Sequence, residues 1–211
     1  QAEDGIRDIG VTGVQTCALP IFGNALRDRF GTMSYKGVDI SSEAIEVGKI
    51  LHPWQQLFAM DVLDISETEF GRNDLVVSLS CIDWNIETDA MLAKLWTLVA
   101  PGGCAVVSVR LSRLPSVTSM SESFQFIDVS RAVNGEIAPY KIFNHQEWMS
   151  KVTSLLDISE ISGFGYWGPP SPTARTVQGE VFFAVFALRK RASREAIANV
   201  RIRFPEIGTI G

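Results

Sequence analysis

Residues 74–109 read DLVVSLSCIDWNIETDAMLAKLWTLVAPGGCAVVSV, and this stretch decides the fold. Leu75-Val76-Val77-Ser78-Leu79 is a continuous apolar run, the pattern of a strand buried on both faces. Thr88–Val99 follows as a helix whose Met91, Leu92, Leu95, Leu98 and Val99 share one face. Pro101-Gly102-Gly103 makes a tight turn, and Cys104–Val109 is a second apolar strand. Buried apolar strands joined through a helix are the pattern of a parallel sheet, whose neighbours need a crossover connection.

The same alternation extends outward. Upstream, Asn24–Phe30 is a short helix ending near Gly31, and Tyr35–Ile40 is a strand. Ser41 or Ser42 caps a helix through about Leu51, with Ile45, Ile50 and Leu51 available for burial, and Pro53 stops it. Gln56–Met60 is a short strand ending at Asp61. Downstream, residues 111–140 form a long loop with a Ser-rich stretch at Ser116–Ser123, long enough to cover an active site. Asn144-x-x-Glu147 is a capping box opening a helix that turns Trp148, Val152, Leu155 and Leu156 inward. Asp157–Ser162 and Glu180–Leu188 are strands without a helix between them, so they pair antiparallel at one edge. The expected fold is α/β and Rossmann-like, one domain with a mostly parallel sheet and helices on both faces.

Composition agrees. The 211 residues are 46% apolar and 20% charged, with net charge −5. That is globular rather than disordered. The mild acidity offers nothing to nucleic acid or an anionic membrane. No apolar run reaches the ~18–20 residues of a membrane helix. Three Cys at scattered positions make no disulfide framework, and two His make no zinc site. A reducing cytoplasm is the expected location.

Residues 1–21 stand apart. They carry mixed charges and no apolar core of a secretory signal. The string resembles the conceptual translation of a sequencing-library adapter, with Ile9-Gly10 where a variable index would be read. It is set aside as foreign. The remaining chain divides into a catalytic domain, 22–190, and a basic tail, 191–211. On this reading the native first strand is lost or replaced. Leu19-Pro20-Ile21 is the crude substitute, and a poor one, since Pro20 lacks a donor.

Parallel sheets bind ligands at the C-terminal ends of their strands. Asp39 and Asp61 end two strands here, and Ser80 to Trp84 follow a third. An acid at the end of the second strand suits ribose hydroxyls. Taken together, Gly37-Val38-Asp39-Ile40-Ser41, Met60-Asp61-Val62, Asp74-Leu75-Val76-Val77-Ser78 and Pro101-Gly102-Gly103 resemble a class I S-adenosylmethionine-dependent methyltransferase, over about residues 22–190. The resemblance implies a seven-stranded sheet with its last strand antiparallel beside the fifth. It implies S-adenosyl-L-methionine as cofactor, with Asp39 and Ile40 at the ribose. Asp61 and Val62 would sit at the adenine, with Ser78 and Ser80 near the reacting methyl. Gly23 would be the last glycine of the methionine-binding loop. The expected reaction is methyl transfer to an acceptor, a small metabolite in preference to a polymer.

Asp83, Tyr140 and His145 are the candidates for taking a proton from the acceptor. Trp84 and Trp167 are candidate stacking residues, and Arg110 could meet an acidic group. Gly163-Phe164-Gly165-Tyr166-Trp167-Gly168 matches a dinucleotide fingerprint by letter, but Pro169-Pro170 forbid the helix that must follow. It reads as a substrate-side loop. The basic tail carries Arg189, Lys190, Arg191, Arg194, Arg201 and Arg203 on a solvated helix, without the aromatic interleaving of a nucleic-acid site. No Asn/Asp-Pro-Pro-Tyr signature follows the fourth strand. Two other readings share the fold: an NAD-dependent oxidoreductase and a non-catalytic binding module.

Overall fold

The computed structural model describes residues 10–14, 19–31, 34–127, 136–192 and 201–203. In chain order the first half comprises β1 (Gly10–Val14), α1 (Leu19–Phe30), β2 (Ser34–Asp39), α2 (Ser42–Leu51), β3 (Gln56–Ala59), α3 (Glu67–Phe70), β4 (Asn73–Ser78), α4 (Thr88–Thr97) and β5 (Val99–Ser112). The second half comprises β6 (Phe124–Phe126), β7 (Ile137–Pro139), β8 (Phe143–Asn144), α5 (His145–Thr153), β9 (Ile158–Gly168), β10 (Ala174–Arg175), β11 (Val181–Lys190) and β12 (Arg201–Arg203). The main sheet runs β12-β9-β11-β5-β4-β1-β2-β3, with β8 paired to β5. It therefore holds nine strands among the described residues, against the seven expected. β1 to β5 are parallel, and β11 lies antiparallel between β5 and β9.

Each face of the sheet carries a core, because adjacent residues of a strand point to opposite sides. Tyr35, Leu57 and Leu75 pack with Leu26 of α1 and Ile45 of α2. Val38, Phe58 and Val76 pack with Met91, Leu92 and Leu95 of α4 and with Trp148 of α5. The expected inward face of α4 is buried throughout, and Trp96 joins it, its indole N–H donating to the Leu156 carbonyl at 2.7 Å. Ser41 caps α2 by accepting from the Ala44 N–H at 3.2 Å. Of the three aliphatics expected inward on α2, only Ile45 is buried; Ile50 and Leu51 are exposed. Leu156 is likewise exposed, because α5 ends at Thr153 and the chain turns outward.

Three expectations are corrected. First, the central position between β4 and β2 is filled by Gly10–Val14, not by Leu19-Pro20-Ile21. Leu19 and Pro20 open α1, where a proline's missing N–H has no helical partner to lose. Second, residues 163–168 are not a loop: they extend β9, which pairs with β11 from Ile158 to Gly168. Gly165 permits this, since a Cβ there would lie 2.4 Å from the Phe183 carbonyl oxygen. Third, residues 111–140 are not bare loop. β6 pairs with β7 and with β10 in a separate three-stranded sheet. The expected tail helix falls on residues 193–200 and 204–211, which lie outside the described residues, and Arg201–Arg203 form β12 beside β9.

The capping box of α5 is present in relayed form. Asn144 Oδ1 accepts from the Gln146 and Glu147 N–H groups at 2.9 and 3.3 Å. Glu147 does not reach back to Asn144 directly. Its carboxylate takes the Ser116 hydroxyl, whose oxygen accepts from the Asn144 N–H at 2.7 Å.

Pro101-Gly102-Gly103 sits inside β5 as an irregularity in its pairing with β4. A Cβ on Gly103 would lie 2.9 Å from the Asp74 carbonyl oxygen and 3.1 Å from that of Asn73. The two central strands approach that closely only because the residue is glycine. Gly103→Ala is expected to cost about 2 kcal/mol by forcing β4 and β5 apart. Gly179→Ala, with nothing within 4 Å of its Cβ, should stay within about 0.5 kcal/mol of the parent. Urea denaturation midpoints of the two variants check this; equal midpoints would refute the close-approach account.

Candidate functional site

The parallel register brings the C-terminal ends of five strands to one edge. Val14 pairs with Val38 on one side and Ser78 on the other, Asp39 with Ala59, and Ser78 with Val107. The strand-end residues singled out above therefore assemble along a single line.

Asp39 is buried there. Its Oδ1 accepts from the Ser41 N–H at 2.8 Å, holding the carboxylate in place. Its Oδ2 is buried with no partner among the described residues. Next to it, Ile40 is 75% exposed, an apolar side chain with nothing to cover it. Asp61 caps the short 3-10 turn Val62–Asp64, accepting from the Leu63 N–H at 2.9 Å. Val62 points into the main core, so Ile40 rather than Val62 offers an open apolar face. Ser78 is fully buried and its hydroxyl has no partner among the described residues. Ser80 sits at φ 54°, a left-handed conformation rare for serine, and its N–H donates to Ser108 Oγ at 2.7 Å. Gly23 is not a loop glycine. It lies within α1, where a Cβ would meet the Gln55 side chain at 2.7 Å. The β1–α1 connection, residues 15–18, lies outside the described residues.

Beyond the ends of β4 and β5 opens a cavity of about 490 Å3. Its inner wall carries Ser80, Asp83, Trp84, Ser108, Arg110 and Tyr140. Ser108 and Arg110 share one face of β5 by strand alternation. Asp83 is placed by the 3-10 turn Ile82–Trp84. Its carboxylate accepts from Arg110 Nε at 2.5 Å and from the Arg110 backbone N–H at 3.0 Å. The Asp83 carbonyl accepts from Arg110 Nη2 and from the Lys141 N–H, each at 3.0 Å. Both side chains of this ion pair are only 4% exposed. The guanidinium lies 3.6 Å from the centre of the Tyr140 ring and 5.6 Å from that of Trp84.

Tyr140 is in turn fixed from two sides. Its hydroxyl accepts from the Ser171 N–H at 3.2 Å, and its carbonyl accepts from the Ser123 hydroxyl at 2.5 Å. Gln125 of β6 reaches the cavity from the three-stranded sheet, its amide N–H groups on Thr173 and Ser171. Of the segment 111–140, Gln125 and Tyr140 line the cavity, and β6 and β7 pair in the small sheet with β10. Lys141 beside it is buried: its ammonium donates to the Ile86 carbonyl at 2.5 Å and to Thr88 Oγ1 at 3.1 Å. Burial pushes this ammonium below its ordinary value, partly opposed by Asp89.

Of the three proton-taking candidates, Asp83 and Tyr140 meet at the cavity. His145 does not: it opens α5, with Nδ1 3.3 Å from the Ser112 carbonyl. Trp84 lines the cavity, whereas Trp167 packs on Phe182 under Arg113. Arg110 is buried in the wall, paired with Asp83. Gln125 and Ser108 were missed; strand alternation from Arg110 pointed to Ser108, and nothing local marked Gln125. The basic residues at the end of β11 are structural, Lys190 donating to the Trp96 and Val99 carbonyls at 2.8 and 3.1 Å. Among the described residues no group of His, Cys, Asp and Glu could hold a metal ion, and no helix is long and apolar enough to cross a membrane.

A family model described as a methyltransferase domain matches residues 8–107, from the start of β1 into β5. No curated protein matches the chain. Among solved structures, the N-terminal domain of EvdMO1, crystallised in the presence of SAH and D-fucose, superposes with TM-score 0.63 at 16% identity, over 87% of this chain and 76% of that one. The Burkholderia thailandensis 1,6-didemethyltoxoflavin-N1-methyltransferase, with 1,6-didemethyltoxoflavin and S-adenosylhomocysteine bound, gives 0.56 at 16% identity, over 87% and 72%. PKMT2 from Rickettsia typhi in complex with AdoHcy is 25% identical with TM-score 0.45. There the match covers 50% of this chain, which spans only 22% of that protein's length. The strand-end acids, the glycine bulge of β5 and the antiparallel β11 agree with that match: the chain carries a methyltransferase domain over residues 8–107.

Proposed function

We propose that this chain transfers the methyl group of S-adenosyl-L-methionine to a small-molecule acceptor held in the cavity beyond β4 and β5. The observation that carries the reading is the pairing of two half-sites along one sheet edge. One is a line of strand-end groups with unpartnered buried oxygens, Asp39 and Ser78. The other is an adjoining cavity of small-ligand size. When bound, the cofactor supplies an already activated methyl on a sulfonium, so the protein has to align, desolvate and manage a proton.

The residues present fit that group. Asp39 offers Oδ2 to ribose hydroxyls while Ser41 holds Oδ1. An unpartnered buried carboxylate oxygen is costly, and two ribose hydroxyls would satisfy it. Ile40 gives an apolar face and Asp61 an acceptor on the adenine side. Ser78 and Ser80 form the border between the half-sites, with Ser80 braced on Ser108. On the acceptor side, Asp83 is the one carboxylate among the described residues lining the cavity, and its Oδ1 is the proton acceptor of the reaction. Tyr140 packs its ring against the Arg110 guanidinium and so positions Arg110. The bound acceptor in the Burkholderia thailandensis structure, and the small cavity here, support a small molecule over a polymer.

Calorimetric titration with S-adenosylhomocysteine tests the cofactor half. Asp39→Ala is expected to weaken binding by about 10–100-fold, the range for a hydrogen bond to a charged group. Binding that survives Asp39→Ala unchanged would remove Asp39 from the site.

The foreign origin of residues 1–21 is a second proposal, with its own comparison. A version in which a plausible first strand followed by a glycine-rich loop replaces these residues should bind at least about tenfold more tightly than the chain as given. Equal affinity would mean that Gly10–Val14 and the residues after it are already a competent first strand and loop. No binding by either folded protein would overturn the methyl-transfer reading.

A further inference from the structure

The cavity's polar equipment specifies the chemistry of what it holds; this inference rests on the methyl-transfer reading for there being an acceptor at all. Asp83 and Arg110 satisfy each other only in part. Arg110 spends Nε, Nη2 and its backbone N–H on Asp83. Arg110 Nη1 and Asp83 Oδ1 remain buried without a partner among the described residues. A buried guanidinium N–H and a buried carboxylate oxygen are each costly to leave unmet. Two residues of the wall therefore hold one unused buried donor and one unused buried acceptor.

Charge narrows the choice. Among the described residues lining the cavity, Arg110 is the one cation and Asp83 the one anion. They cancel at 2.5 Å. An anionic ligand would lose its hydration and meet no surplus positive charge, a loss that a neutral ligand does not incur. On this ground a neutral ligand is favoured over the acidic group expected at Arg110.

Shape narrows it further. Phe164 and Tyr166 stand two residues apart on one face of β9 at the cavity mouth, 67% and 64% exposed. Tyr166 is stacked on Phe183, with ring centres 5.4 Å apart and planes 28° from parallel. Two large aromatic rings left open beside a cavity favour a flat, conjugated partner. Trp84 and the Tyr140–Arg110 stack continue the aromatic lining inward.

We propose that the cavity selects a neutral, planar aromatic or heteroaromatic acceptor bearing a carbonyl-type oxygen and an O–H or N–H. The oxygen accepts from Arg110 Nη1, the O–H or N–H donates to Asp83 Oδ1, and the ring lies against Phe164 and Tyr166. The unused donor and acceptor of the buried pair are what the ligand completes.

Three probes of one size separate the parts of this assignment. They are 4-hydroxybenzamide, its anionic counterpart 4-hydroxybenzoate at pH 7.5, and the non-planar trans-4-hydroxycyclohexanecarboxamide. Titrations followed by calorimetry and ligand-observed NMR should show the benzamide binding at least about tenfold more tightly than either of the others. Phe164→Ala/Tyr166→Ala, which alters exposed side chains and leaves the buried pair intact, should weaken the benzamide by about tenfold without changing S-adenosylhomocysteine binding. Arg110→Lys, if it folds, should abolish the preference for the benzamide. Equal or tighter binding of the benzoate would overturn the neutral-ligand claim. Undiminished binding by the rim variant would overturn the stacking claim. A protein that binds S-adenosylhomocysteine but none of the probes would sink this inference alone. A protein that binds the benzamide but never S-adenosylhomocysteine would sink the methyl-transfer reading instead.

Discussion

The site is organised around one buried ion pair. Asp83 and Arg110 tie the turn after β4 to the end of β5, so the two central strands are locked together just where the cavity begins. The pair does more than join strands. The Asp83 carbonyl takes the Lys141 N–H, and the Tyr140 ring packs against the guanidinium. Tyr140 then holds Ser123, just before β6, and Ser171, just before β10, of the small covering sheet. Remove the guanidinium and a desolvated carboxylate is left, at a cost of about 3–5 kcal/mol in comparable settings. The covering sheet would also lose the platform on which Tyr140 rests. Such a pair adds little stability beyond what its desolvation costs.

How much of this was legible in the sequence follows from how local each contact is. β4, α4 and β5 were readable because unbroken apolar runs and a 3.6-residue stripe are signals within a dozen residues. The Ser41 cap and the strand-end Asp39 and Asp61 were readable for the same reason. β9 was cut short because its glycines looked like a loop. Only the approach of the Phe183 carbonyl to Gly165 shows that glycine is what lets the strand continue. β6, β7 and β10 were invisible, being three or fewer residues each and paired across separations of up to about 50 residues. Gln125 was missed with them.

The first strand has a different lesson. A segment read as foreign nevertheless runs in register with β2 and β4 through Gly10–Val14, and the family match begins at residue 8. Backbone pairing explains this, since a strand between two parallel neighbours is held by hydrogen bonds that any non-proline residue supplies. Leu19-Pro20-Ile21 was the weaker choice because Pro20 lacks that N–H, and the structure uses it to open α1. Filling the slot is a weaker requirement than binding a cofactor there, which depends on residues after the strand.

The two half-sites draw on different parts of the chain, and this has a consequence for specificity. Asp39, Asp61 and Ser78 are strand-end residues, and the sheet that places them is fixed by its two cores. The acceptor side takes Gln125, Tyr140, Phe164 and Tyr166 from segments that pair outside β1 to β5. Changes in those segments alter the cavity without moving the strand ends, as expected when function is carried by loops and additions on a shared scaffold. Asp83 and Arg110 are the exception. They belong to the core strands yet face the cavity, so the ligand's need for one donor and one acceptor is built into the sheet, while the shape of its ring is left to the cover.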